Sequence, residues 1–290
     1  MYEAVYVYPD SKSTVTRCAH TAIEYGYNGI VVRAIDADPD FDQIRTALTD
    51  TSSSGLDKHT TSSTNPESES ESESESEPDG QSHIDADIPA LQSTTPQSEP
   101  PEPDIVNGVE IISTDPQHAS GALGNERPQR TVVSVRGGTN KLNRFAVEQP
   151  RVDVLTQPFI GSNNSRMGDI NHVLINAAVR NEVAVELNLG PAIRADGGRR
   201  IKHLKRLNKL RRLIDHYDAP YVVSATPNSH LEFRTPRELA AVGAEIGLGE
   251  TCIYDGLTGW NEIIARNRHR RSESFIAPGV EYGRYEEDNR

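Results

Sequence analysis

Between Arg199 and Arg212 lie Arg199, Arg200, Lys202, Lys205, Arg206, Lys209, Arg211 and Arg212, with no acidic residue among them. Ile201, Leu204, Leu207 (or Asn208), Leu210 and Ile214 recur at helical spacing between these cations, so the stretch predicts an amphipathic helix with those residues turned inward. A solvated helix face normally mixes both signs and gains i,i+4 pairs from them. A one-signed face suits a polyanion or an acidic partner, with each cation neutralising a phosphate or carboxylate. The plain alternative is a solvated helix face. A second cluster, Arg136, Lys141 and Arg144, follows the β-forming run TVVSVR and the pair Gly137-Gly138, whose backbone N–H groups could also meet a phosphate. A third, Arg266, Arg268, Arg270 and Arg271, is less specific.

Covalent and metal chemistry is harder to place. There is no G-x-S-x-G elbow, no Walker loop and no Cys/His nucleophile pair. A metal-dependent phosphoesterase built on a barrel would need His and carboxylates converging at strand ends, beginning with a His-x-His pair in the first strand. That strand reads Tyr6-Val7-Tyr8. The nine histidines are scattered, and only His230 falls at a predicted strand end, where a hydrogen-bonded structural role outweighs a metal-ligand role. Glu186 sits inside an apolar strand, and an ion pair or hydrogen bond in a barrel mouth explains it better than catalysis. No catalytic and no metal-binding residue is expected.

The elements that must carry these residues follow from periodicity. Strands are predicted at Tyr2–Tyr8, Gly29–Ala34, Gly108–Ser113, Thr131–Arg136, Val152–Leu155, Val183–Leu189 and Tyr221–Ser224. Helices are predicted at Ser13–Tyr25, Phe41–Leu48, Asn171–Val179 and about Arg199–Tyr217, and a short helix or turn at Asn140–Val147. A capped helix opens at Thr235-Pro236 with Glu238 and runs to about Ile246. Glu250–Leu257 is weakly helical and Trp260–Arg268 more strongly so; residues 115–130 and 190–198 read as loop or turn. Short strands alternating with helices, without a Gly-rich dinucleotide turn, predict a single TIM-barrel-like α/β domain over a doubly wound sheet.

The net charge of −13 argues at first against a nucleic-acid partner. The average misleads, because residues 51–104 alone hold 13 acidic residues against one lysine. The remainder is close to neutral. The Glu-Ser repeat from Glu67 to Glu77 and its flanking prolines predict a disordered insertion in a surface loop. The expected layout is therefore residues 1–50 and 105–270 as the barrel, 51–104 as the insertion and 271–290 as a flexible tail. Acid enrichment with few lysines outside 202–209 points to a halophilic source. Cys18 and Cys252 form no metal or disulfide pattern and read as reduced core residues. Neither a signal peptide nor a membrane span is expected, and the predicted location is the cytoplasm.

Five segments together carry a family resemblance: RGGTNKLNRFA (Arg136 to Ala146), VDVL (Val152 to Leu155), INHVLINAAVRNEVAVELNL (Ile170 to Leu189), YVVSATPNSH (Tyr221 to His230) and EFRTPRELAAVGAEIGL (Glu232 to Leu248). In this order they resemble the archaeal ribonuclease P protein component 3 family, and the composition points to a haloarchaeal member. The long acidic insertion and Pro227-Asn228 depart from the family pattern. The resemblance implies a TIM-barrel-like fold, related to the metal-dependent PHP phosphoesterases but without their metal cluster. It implies a subunit of a ribonucleoprotein endoribonuclease that removes the 5′ leader from precursor tRNA, with Mg2+ and catalysis carried by the RNA. The implied partners are the ribonuclease P RNA, precursor tRNA, a Pop5-like protein subunit and the other ribonuclease P proteins. On that picture Arg136, Lys141, Arg144, Lys202, Lys205, Arg206 and Arg234 are the expected RNA contacts. The competing reading is a stand-alone PHP-type metal-dependent phosphoesterase.

Overall fold

The computed structural model describes residues 1–6, 12–35, 39–54, 102–159, 168–277 and 280–281. Residues 55–101 of the predicted insertion, the Tyr8-Pro9-Asp10 strand end and most of the predicted tail lie outside these residues, whereas at the edges of the predicted insertion residues 51–54 continue a helix and Asp104 begins a strand. Seven strands form one parallel sheet in strict chain order. They are β1 (Tyr2–Val5), β2 (Gly29–Ala34), β3 (Asp104–Ile111), β4 (Val132–Arg136), β5 (Val154–Thr156), β6 (Ala184–Asn188) and β7 (Tyr221–Ser224). β1 and β7 approach each other without a ladder. Tyr6 N donates to Pro227 O at 3.1 Å, and Ala225 N and Thr226 N donate to Glu3 Oε1 at 2.9 and 3.1 Å. The sheet is thus a nearly closed, TIM-barrel-like cylinder.

Side chains alternate across each strand, so one parity faces the barrel axis. At the N-terminal end the inward layer is apolar and takes one residue from each strand: Ala4, Val31, Val106, Val132, Val154, Ala184 and Val222. Trp260, Ile263 and Ile264 pack against that layer. They belong to α9 (Glu250–Arg270), which plugs this end and spans the seam between β7 and β1. Trp260 is fully buried and donates its indole N–H to Val223 O at 2.9 Å. Two residues further along the strands, or four on β3, where Gly108 comes before Glu110, the inward layer turns polar and forms the opposite mouth.

The outer shell holds α1 (Lys12–Glu24), α2 (Phe41–Ser54), α3 (Pro116–Glu126), α4 (Asn140–Glu148), α5 (His172–Asn181), α6 (Gly190–Arg194), α7 (Gly197–Tyr217) and α8 (Pro236–Glu245). A small antiparallel pair, β8 (Phe275–Ala277) and β9 (Val280–Glu281), follows α9. Three expectations change. Residues 115–130 contain α3, whose start is fixed by Asp115 accepting from Gln117 N and His118 N with Pro116 in the first turn. Residues 190–194 are helical, as α6, and not turn. The two weak predictions after Glu250 merge into the continuous α9. Its interior glycines exist for contact: a Cβ on Gly259 would lie 2.6 Å from Tyr221 O. Among the described residues no helix is long and apolar enough to cross a membrane.

Candidate nucleic-acid interface

The polar layer at the barrel mouth is built from strand residues of inward parity. Arg33 on β2 reaches across to Glu186 on β6 at 2.5 Å, with both side chains buried. Ser224 on β7 donates its hydroxyl to the same Glu186 oxygen. Arg136 on β4 forks onto Glu110 on β3, Nε to Oε1 at 3.0 Å and Nη2 to Oε2 at 3.1 Å. Thr156 Oγ1 donates to Glu110 Oε1 at 2.5 Å. Tyr6 lies between the two guanidinium groups, which sit 5.6 and 5.8 Å from its ring centre. Burial works against the charge of Arg33, but Glu186, Tyr6 and Glu110 outweigh it and hold the guanidinium above its ordinary range. Burial likewise opposes the Glu110 carboxylate, and Arg33 and Arg136 outweigh it and hold Glu110 below the usual range. The mouth is a self-neutralised salt lattice.

This arrangement settles several readings. Glu186 is an ion-pair partner, as its place in an apolar strand suggested. Arg33 and Glu110 were not singled out from sequence, although each is a charged residue at the inward parity of an apolar strand. Arg136 points into the mouth and is about a quarter exposed. The Gly137 and Gly138 amides are not a phosphate nest: Gly137 N donates to Thr156 O at 2.8 Å and Gly138 N to Asn143 Oδ1 at 3.0 Å. Among the described residues no three His, Cys, Asp or Glu side chains converge as metal ligands do. Where two carboxylates do approach the axis, guanidinium groups occupy the space beside them, and this donor set does not fit a divalent cation.

The basic helix α7 is positioned by α6. Asn188 Oδ1 accepts from Gly190 N at 2.9 Å, and Arg194 donates to Ala225 O and Thr226 O at 3.1 and 3.2 Å. These bonds hold the β6–α7 connection against the end of β7. α7 then packs down the barrel on buried Leu207, Leu210 and Ile214. His203, Arg206 and Leu207 turn toward the mouth and, with Gln157, Glu186 and Asn188, line a cavity of about 40 Å³. Burial pushes His203 below its ordinary value, with Arg206 and Arg199 adding to the shift. Ile201, expected to face inward, is instead 54% exposed. At 100° per residue Ile201 lies 120° or more around the helix from the buried Leu207, Leu210 and Ile214, so it turns away from the barrel.

The charges on α7 divide into paired and unpaired. Lys209 binds Asp169 at 2.5 Å, Arg211 pairs with Asp215, and Arg200 donates to Ala195 O at 2.7 Å. Arg199, Lys202, Lys205 and Arg212 are exposed and have no ion-pair or hydrogen-bond partner among the described residues. Lys202, Lys205 and Arg212 fall on one side of the helix, and Arg199 lies apart from them in its first turn. Elsewhere, Lys141 is exposed, Arg144 pairs with Glu148 at 2.8 Å, and exposed Arg234 caps Phe233 O at 2.8 Å. The third sequence cluster is structural. Arg266 binds Asp153 and Glu182, Arg268 binds Asp104, Arg270 binds Glu182, and Arg271 binds the carbonyls of Arg127 and Pro128. Among the described residues, α7 therefore carries the densest group of unpaired cations.

A family profile described as RNase P subunit p30 matches residues 1–272. The chain belongs to the RNase P subunit p30 family. It is thus a protein subunit of ribonuclease P, an endoribonuclease. Among its p30 relatives, the "Ribonuclease P protein component 3" of Halorubrum lacusprofundi is 45% identical over 288 residues, covering 99% of this chain and 100% of the relative. The protein of the same name from Halobacterium salinarum is 40% identical, again covering 99% and 100%. The p30 fold agrees with a chain in the cryo-EM structure of archaeal ribonuclease P with mature tRNA. The TM-score is 0.67 at 19% identity, covering 99% of this chain and 100% of that one.

Proposed function

We propose that this subunit supports the ribonuclease P RNA by presenting the unpaired cations of α7 to its phosphate backbone, while the RNA and its Mg2+ ions carry out removal of the 5′ leader from precursor tRNA. The observation that carries this is the group itself: four exposed cations on a helix whose other charges are satisfied. Phosphate contacts of this kind release condensed counterions and lower the electrostatic cost of folding RNA. Lys202 and Lys205 are the primary contacts, with Lys141, Arg144 and Arg234 as outlying ones. Arg136 and Arg206 serve the interface from beneath, Arg136 by neutralising Glu110 and Arg206 by lining the mouth cavity. A Pop5-like subunit and the other ribonuclease P proteins would complete the assembly. The relatives' shared name and the fold match to a chain of an archaeal ribonuclease P bearing tRNA support the reading.

The test is the salt dependence of binding to ribonuclease P RNA. Lys202→Glu/Lys205→Glu should lower the logarithmic salt slope by about 2 and weaken binding by roughly tenfold or more, since each phosphate contact contributes about 0.7–0.9 to the slope. Unchanged slope and affinity would remove α7 from the interface.

A further inference from the structure

Ala225, Thr226 and Pro227, just past the end of β7, are gripped from two sides. On the β1 side Glu3 Oε1 accepts from the Ala225 and Thr226 amides, and Tyr6 N donates to Pro227 O. From the other side Arg194, the last residue of α6, forks onto the carbonyls of the same residues. Its Nη1 donates to Ala225 O at 3.1 Å and its Nη2 to Thr226 O at 3.2 Å. The Thr226 hydroxyl donates to Asn188 Oδ1 at 3.2 Å, the oxygen that also accepts from Gly190 N. Thr226 is buried and has a φ of 46°. A β-branched residue takes this left-handed conformation only where its surroundings impose it. The grip therefore sets the backbone here, against local preference.

The same grip sets where α7 begins. Only Ala195 and Asp196 separate Arg194 from the first residue of α7. Arg200 Nε donates to Ala195 O at 2.7 Å and Nη2 to Ile193 O at 3.3 Å, so the link is folded back onto the helix. Gly190 lies so close to the end of β7 that a Cβ there would collide with Ala225 O. The buried residues of α7 are Leu207, Leu210 and Ile214, all beyond the turns that bear Lys202 and Lys205. Those turns take their placement from α6, and α6 takes its placement from the Ala225–Thr226 backbone. Arg194 also approaches Glu232 at 3.4 Å, so its charge is answered within the protein. We propose that Arg194 is a positioning residue for RNA, which couples closure of the β7–β1 seam to the placement of Lys202 and Lys205. By linkage, RNA seated on α7 then tightens the seam in return. The RNA half of this rests on α7 being an RNA surface; the coupling of seam to helix does not.

Hydrogen exchange on the full-length protein, read at single amides by NMR, tests the coupling. Arg194→Lys keeps the charge but loses the planar fork that reaches both carbonyls. It should speed exchange of Tyr6, Ala225 and Thr226, and of residues 201–204, by roughly tenfold or more, with Leu210 and Ile214 unchanged. Gly190→Ala alters no charge and should do the same; it decides the matter if Arg194→Lys unfolds the protein. Natural exchange rates in both variants would overturn the proposal, as would acceleration on one side only. Ribonuclease P RNA should slow the buried Ala225 and Thr226 amides several-fold in the natural chain but not in Arg194→Lys. That variant should bind RNA several-fold more weakly, and the loss should vanish in the Lys202→Glu/Lys205→Glu background. Natural affinity in Arg194→Lys, or an equal loss in both backgrounds, would refute the positioning role. If reversing Lys202 and Lys205 leaves RNA binding intact, the α7 reading fails, and the exchange rates still decide the coupling.

Discussion

At the residue scale the barrel mouth is governed by two arginine–glutamate pairs between different strands, Arg33–Glu186 fully buried and Arg136–Glu110 partly so. Removing one partner leaves the other charge buried and unpaired, which costs about 3–5 kcal/mol. Arg33→Met and Glu186→Gln should each destabilise by that amount in urea unfolding, and the double variant by clearly less than their sum. Glu3 is a separate case. Burial pushes its carboxyl up to about 8, against the lowering effect of the Ala225 and Thr226 amides. The folded state therefore holds the proton more tightly than the unfolded state. This contribution to stability is complete below about pH 4.5 and is lost as pH rises to about 8. Glu3→Gln should abolish that slope, gaining on the order of 2 kcal/mol over the natural protein between pH 5 and pH 8; parallel stability curves would contradict it. From sequence, Glu186 was readable as a structural charge because it interrupts an apolar run. Its partner was not, because Arg33 lies 153 positions away and only the closed barrel brings them together.

At the scale of elements, α9 does what an eighth strand would do. It crosses the seam between β7 and β1 and fills the barrel end with Trp260. Its close approach to β7 depends on Gly259, where a Cβ would meet the Tyr221 carbonyl oxygen, a backbone atom with little freedom to move. Gly259→Ala should destabilise by about 1–3 kcal/mol despite alanine's better helix propensity, measured by chemical unfolding. The same glycines explain why sequence reading broke α9 in two: a helix signal was weakened by residues chosen for packing. α3 was missed for the opposite reason. Its Asp-Pro start was present, but Gly121 and Gly124 and low apolar content masked the helix behind it. The basic helix was legible in extent and charge. Asp215, four residues after Arg211, is readable from helical spacing, but Asp169 and the backbone carbonyls of the α6–α7 connection, which pair Lys209 and Arg200, are not.

For the whole molecule, function follows from how charge is partitioned. The net −13 belongs almost entirely to residues 51–104, while among the described residues the densest run of unpaired positive charge lies on α7. The alternating strand–helix order was sufficient to predict a TIM-like barrel, because consecutive parallel strands need helical crossovers and the strands are too short and too apolar for a one-sided sheet. In the sequence the one-signed helix pointed to a polyanion or an acidic partner and the family resemblance named RNA, but the self-neutralised mouth emerged only from register. The most direct test of the account is reconstitution of ribonuclease P RNA with its protein subunits, following leader removal from precursor tRNA. The natural chain should stimulate cleavage and Lys202→Glu/Lys205→Glu should lose most of that stimulation while remaining folded. Full stimulation by the reversed-charge variant would contradict it.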